Sequence, residues 1–153
     1  MMKQPPIAKV YEALSAIADQ RIKIASDHAL VTSSNYSKTY TVKFSENRYS
    51  SNDNATYWQH YAGYPIIAVL IEQGKLKISE NDKNLLTEFK DINWKKLNTH
   101  YKNKYDKAIN YFLNTVDDKE KIRNLVKEIF DQLMKLDIEV KGNRTKLIKK
   151  ESK

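Results

Sequence analysis

The sequence predicts an α+β fold in which a small antiparallel sheet of two or three strands is packed by several helices, with a helical C-terminal half. Three observations predict it. Apolar residues recur at three- and four-residue steps near the N-terminus and again through the second half; β-branched and aromatic residues alternate over residues 28–51; and Gly, Pro, Ser and Asn punctuate the segments between. At 153 residues the chain has the commonest size of one domain. A single core is therefore expected over residues 1–140, followed by a basic tail or hairpin over 141–153.

Pro5 and Pro6 stiffen the start of a first helix, about residues 6–22, whose Ile7, Val10, Tyr11, Leu14, Ile17 and Ala18 share one face. Strands follow at Ala29, Leu30, Val31 and Thr32, at Thr39 through Phe44, and around Tyr49, with Ser- and Asn-rich turns between them. Ser51, Asn52, Asp53 and Asn54 offer side-chain oxygens to the free amides of a short aromatic helix over about residues 55–62. Gly63 ends it, and Pro65 suits the first turn of the next, over 66–73, which Gly74 closes. Because Ile66, Ile67, Ala68, Val69, Leu70 and Ile71 are apolar on every side, this helix is expected at the centre of the core.

Ser79 opens a further short helix carrying Leu85, Leu86 and Phe89. Asn93 caps a longer one over 94–112, in which Trp94, Leu97, Tyr101, Tyr105, Ala108, Ile109 and Phe112 keep helical spacing. Asp117 and Asp118 start the last helix, whose apolar stripe is Ile122, Leu125, Val126, Ile129, Phe130 and Leu133. Around Gly142 and Asn143 the alternation of Ile138 to Lys141 and Thr145 to Ile148 fits a hairpin or a frayed tail.

Of the net charge of +8, nearly all lies in the last 60 residues: residues 1–93 carry 11 basic against 10 acidic side chains, and residues 94–153 carry 16 against 9. It is concentrated at 95–107 and 141–153, on either side of a slightly acidic helix. Two such clusters produce a positive local potential that attracts polyanions, although a solvated lysine-rich face kept for solubility has the same composition.

Several functions are excluded. The chain has no cysteine, so disulfides, thiolate metal sites and cysteine nucleophiles are absent, in keeping with a reducing, cytoplasmic setting. His28, His60 and His100 are too far apart in sequence to pair on one helix around zinc, and three glycines cannot build a phosphate-binding loop. No Gly-x-Ser-x-Gly elbow occurs. No catalytic residue, metal or cofactor is therefore assigned. The longest uncharged apolar run, residues 64–71, is far short of the roughly 20 residues that span a bilayer, and no secretory segment is expected at the N-terminus.

The densest unusual segment holds Tyr57, Trp58, His60, Tyr61 and Tyr64 around Gln59. Such aromatic faces, flanked by amide and imidazole groups, can stack on bases or sugars. The alternative is packing, with Trp58 and Tyr61 covering the core and Tyr57 and His60 at its rim. A second candidate places Tyr101 and Tyr105 among Lys102, Lys104 and Lys107, since a basic helix with exposed aromatics can follow a phosphate backbone. Its alternative is an amphipathic helix with buried tyrosines.

The strands around Tyr40, Thr41, Val42 and Tyr49, the stretch Ser51, Asn52 and Asp53, and the helix entry at Tyr64, Pro65 and Ile66 resemble the layout of a SWIM-type module, a β-hairpin followed by a helix, over residues 28–73. That family binds zinc through a Cys-x-Cys and a Cys-x-His pair. Here Ser51 and Asp53 stand at the first pair and Tyr64 and Ile66 at the second, so the resemblance implies a metal-free relative that associates with nucleic acid or other proteins.

The expectation is a non-catalytic binding module with low-specificity nucleic-acid binding through Lys95, Lys96, Lys102, Lys104, Lys107, Lys141, Arg144, Lys146, Lys149 and Lys150. The competing expectation is a protein-interaction or self-association module using the aromatic surface around residues 57–64. A deep pocket lined by His60 and nearby carboxylates would instead indicate an enzyme.

Overall fold

The computed structural model describes residues 3–149. Helix α1, Ala8–Ala18, is the hub. Nearly every residue from Ala8 to Ala16 is buried, Lys9 and Glu12 among them, so the helix is enclosed on all sides instead of lying with one face on the core. It ends at Ala18, four residues before the expected stop, and Ile22–Ile24 becomes an edge strand, β1.

Strands β1, β2 (His28–Thr32), β3 (Lys38–Ser45) and β4 (Arg48–Ser51) form an antiparallel meander. Helices α2 (Asn54–Gln59) and α3 (Tyr64–Glu72) follow, and α3 lies against the sheet and α1 with Pro65 through Leu70 buried. A 3-10 helix, Glu80–Phe89, then leads to α4 (Trp94–His100), α5 (Tyr105–Leu113) and α6 (Lys119–Lys135). The chain returns to the sheet as β5, Glu139–Gly142, parallel to β4, and β6, Ile148–Lys149, antiparallel to the start of β3.

The expected small sheet is thus corrected. Among the described residues the sheet is mixed and has six strands, with seven helices counting the 3-10 segment. The added strands β1, β5 and β6 have two to four residues each; alternation marked the segments of β5 and β6, but not their pairing with β4 and β3. The hairpin considered for the C-terminal segment does not form either, because β5 and β6 pair with β4 and β3 and not with each other. Residues 150–153 of that segment, and Lys150 with them, lie outside the described residues.

Two side-chain amides join this returning segment to the sheet. Asn52, just past β4, accepts from Thr41 N at 2.9 Å and donates to Thr145 O at 2.9 Å. Asn143 donates to Thr41 O at 3.2 Å and Ser50 Oγ at 3.1 Å. They satisfy peptide groups where the β3–β4 ladder has ended and the β3–β6 ladder has not begun.

The helix expected over 94–112 is broken. Lys102 and Asn103 both take positive φ, 54° and 63°, and Asn103 N closes on Asn98 O at 2.7 Å. Asn tolerates this conformation, whereas at lysine it is less favourable. The core expectation for residues 66–70 agrees with the structure. Beside them Tyr11, Phe89, Trp94 and Phe112 form an aromatic cluster with centroids 5.1 to 6.4 Å apart. No helix among the described residues is long and apolar enough to cross a membrane.

Candidate functional site

The break between α4 and α5 turns Asn103 and Tyr105 toward α1 and α2, and a cavity of about 420 Å³ opens there. Its walls come from α1 (Lys9, Glu12), β3 (Tyr40), α2 and its flanks (Asp53, Trp58, Gln59, Tyr61), the start of α3 (Tyr64), and α4–α5 (Lys95, Asn98, Tyr105). The volume lies within the range of ligand sites, and the lining is unusually polar.

The charged groups at its base belong to α1. Lys9 Nζ lies 3.3 Å from Glu12 Oε2, one turn along the helix, with both side chains about nine-tenths buried. Lys9 also sits over the Tyr105 ring at 4.8 Å from its centroid. Burial pushes the ammonium down, but the Glu12 carboxylate together with Tyr105 and Tyr61 outweighs it, and Lys9 is held above its usual range. The other Glu12 oxygen accepts from Asn98 Nδ2 at 3.2 Å.

Asp53 supplies a second buried carboxylate. As the cap of α2, its Oδ2 accepts from Thr56 N at 3.0 Å, and Thr56 Oγ1 in turn accepts from Gly63 N at 2.9 Å. A Cβ on Gly63 would collide with Asp53 Oδ2 and Thr56 Oγ1, so glycine is needed here for space and not for its backbone angles. Asp53 Oδ1 is buried without a hydrogen-bond partner.

Four phenols complete the lining. Tyr40 and Tyr64 meet edge to face at 6.1 Å. Burial pushes Tyr64 far up, with Tyr40, Glu12 and Asp53 adding to it against Arg21. Burial and then Asp53 and Glu12 raise Tyr40, and burial raises Tyr61 against the pull of Lys9. These three phenols stay protonated at neutral pH and serve as both donors and acceptors.

The aromatic segment read from sequence is divided by the structure. Trp58 is 69% exposed on the cavity rim, the reverse of the core-covering position, because α2 stops at Gln59 and His60 takes a left-handed conformation, φ 62°. Tyr61 is buried, Tyr64 and Tyr57 are half-buried, and His60 is exposed and does not line the cavity. Tyr57 instead packs on Gly142, where a Cβ would meet its ring.

The basic residues fall into separate places. Lys95 lines the cavity, and its backbone N–H donates to Ser34 Oγ at 3.1 Å in the β2–β3 turn. Lys38, which follows that turn at the start of β3, lies opposite Lys149 in the β3–β6 ladder. Lys102 and Lys104 are exposed on either side of Asn103 in the α4–α5 break, and Lys107 is exposed on α5. Lys96 faces another groove with His100, Tyr101 and Tyr111. Lys141 lies beside Lys43 and Arg48 near the far end of β3, and Arg144 and Lys146 are exposed between β5 and β6. None of these lysines or Arg144 enters an ion pair among the described residues.

Sequence patterning missed Lys9, Glu12, Tyr40, Asp53 and Asn98. One signal was present: Lys9 and Glu12 are the only charges in a helix otherwise made of Ala, Val, Leu, Ile, Tyr and Ser, and they stand three apart. No group of three or more His, Asp or Glu suited to a metal occurs among the described residues.

A family model described as Uncharacterised conserved protein UCP014422 matches residues 2–139. The chain belongs to this family. All the cavity residues fall within the match, and the basic positions from Lys141 onward fall beyond it. No curated protein and no solved structure matches the chain.

Proposed function

We propose that this member of the UCP014422 family is a non-catalytic module that binds single-stranded nucleic acid, an unstacked base entering the cavity beside Trp58 while Lys95 and neighbouring lysines contact phosphate. The observation that carries the reading is the meeting of Trp58, Gln59, Tyr61 and Tyr64 with Lys95 around one opening. An indole 69% exposed offers a stacking face, and such stacking is sequence-tolerant because every base has a π-face. Exposed ammonium groups without carboxylate partners attract phosphate by releasing counterions. The cavity favours a single strand, since a duplex keeps its bases stacked and out of reach.

Anisotropy of labelled single-stranded and duplex oligonucleotides across salt tests this. Single strands are expected to bind more tightly than duplex, with a log–log salt slope of about 0.7 per phosphate contact. Trp58→Ala should weaken binding by about 5- to 150-fold, the equivalent of 1–3 kcal/mol per stacked base. Flat salt dependence or unchanged affinity in Trp58→Ala overturns the reading. Mass growth with protein concentration in sedimentation, without nucleic acid and abolished by Trp58→Ala, would replace it with self-association.

A further inference from the structure

We infer that the single strand crosses α4 and stacks a second base in the groove between α4 and α5, on the ring of Tyr111. The inference rests on the single-strand reading above and extends it from one opening to a track of three.

Two pairs of residues give α4 its part in the track. Lys95 and Thr99, one turn apart, line the cavity, and Lys96 and His100, also one turn apart, line the groove or its mouth on the next side of the helix. One residue turns about 100° around a helix axis, so the two pairs meet along one corner. All four also line a shallow opening with Asn35 and Asn93, which makes the cavity, this opening and the groove contiguous. The four side chains are exposed, and neither lysine enters an ion pair among the described residues. A phosphate backbone laid over the corner therefore meets two ammonium groups, with no carboxylate in the lining of the shallow opening.

The groove has a volume of about 370 Å³, and Ile92, Leu97 and Phe112 make its lining largely apolar. Tyr101 and Tyr111 also line it, their ring centroids 6.4 Å apart and their planes inclined at 51°. Tyr111 is 52% exposed, so its ring keeps area that nothing in the chain covers. Trp58, Tyr36 and Tyr111 are the exposed large aromatic side chains among the described residues, and Trp58 and Tyr111 border the openings on the two sides of the α4 corner. Asp91 is the one carboxylate in the groove lining, and it would repel a phosphate but not an uncharged base. An apolar, aromatic groove that opens onto paired lysines thus suits a base with its phosphate outside. A helix with its side chains is about 10–12 Å across, or about three to four nucleotides at a stacked rise of about 3.4 Å. A strand of about five nucleotides or more reaches both rings.

Labelled oligo(dT) from dinucleotide to dodecanucleotide, measured by anisotropy, tests the inference. Tyr111→Ala should weaken the dodecanucleotide by about 5- to 150-fold, the loss of one stacked base, and leave the shortest strands unaffected. Tyr111→Phe keeps the ring and should bind as wild type does. Lys96→Gln should lower the log–log salt slope of the dodecanucleotide by about 0.7. Trp58→Ala should weaken strands of every length. Wild-type affinity for the dodecanucleotide in a folded Tyr111→Ala protein, or an equal loss at every length, overturns the inference and leaves the single-strand reading standing. Equal losses in Tyr111→Phe and Tyr111→Ala remove the ring as the contact. Mass growth in sedimentation without nucleic acid, abolished by Tyr111→Ala, gives the groove to a second copy of the chain, and no binding of any strand removes both readings.

Discussion

Asn98 donates from Nδ2 to Glu12 Oε1 at 3.2 Å, joining α4 to the buried carboxylate of α1 across 86 residues of sequence. That carboxylate also faces Lys9, so one side chain of the hub helix holds together the ion pair at the base of the cavity and the helix that closes its side.

Removing the charge of Glu12 leaves Lys9 buried without its counter-ion. Glu12→Gln is expected to destabilise the protein by about 3–5 kcal/mol, and Asn98→Ala by about 1–3 kcal/mol. Urea unfolding of the single and double variants checks both, and the double variant should lose less than the sum because the two residues share one contact.

Stability should fall at alkaline pH. Lys9, Tyr40, Tyr61 and Tyr64 are all raised by folding, so each contributes fully below its unfolded pKa, and that contribution is lost as pH rises through the folded value. With unfolded values of about 10, stability should not change through these groups near neutrality and should decline above about pH 10. Phenolate absorbance followed with unfolding checks this: Tyr64 should ionise only as the protein unfolds.

Trp94 Nε1 donates to Ser15 Oγ at 2.7 Å within the core. Trp94→Phe keeps most of the aromatic packing, leaves the buried hydroxyl unpaired and shortens the ring, with an expected cost of about 2–4 kcal/mol. Ser15→Ala, which removes the partner without opening a large cavity, should cost less, and thermal or urea unfolding distinguishes the two.

Gly63 and Gly74 fail for different reasons when substituted. Gly63→Ala forces Asp53 or Thr56 to move and should weaken oligonucleotide binding as well as stability. Gly74→Ala meets no atom within 4 Å, but its φ of 77° disfavours a side chain. It should cost about 1–2 kcal/mol with affinity unchanged. Melting and anisotropy on the same two proteins check both outcomes.

The oxygens that cap α2, α4 and α6, at Asp53, Asn93 and Asp118, lie where the sequence places helix starts, since a cap acts within three residues of itself. The burial of Ile66 to Leu70 and the stripe Ile122, Leu125, Val126, Ile129 and Leu133 were equally legible, because helical period and apolarity are local properties. The sheet was read short because alternation over Ile138 to Lys141 marks a strand but not its partner, and β5 finds β4 about ninety residues upstream through backbone bonds.

The sequence by itself determined where most helices begin, where the charge lies and which chemistries its residue types exclude, since all of these depend on neighbours along the chain, whereas the break between α4 and α5 was not legible. Only the tertiary structure decided that Trp58 faces outward, that Lys9 and Glu12 are buried together, and that Asp53 and Tyr105 line the same cavity. The physical reason is that burial of a charged or aromatic side chain is set by what packs against it from distant segments, and α1 is wrapped by α3, the 3-10 helix, α5 and α6 at once.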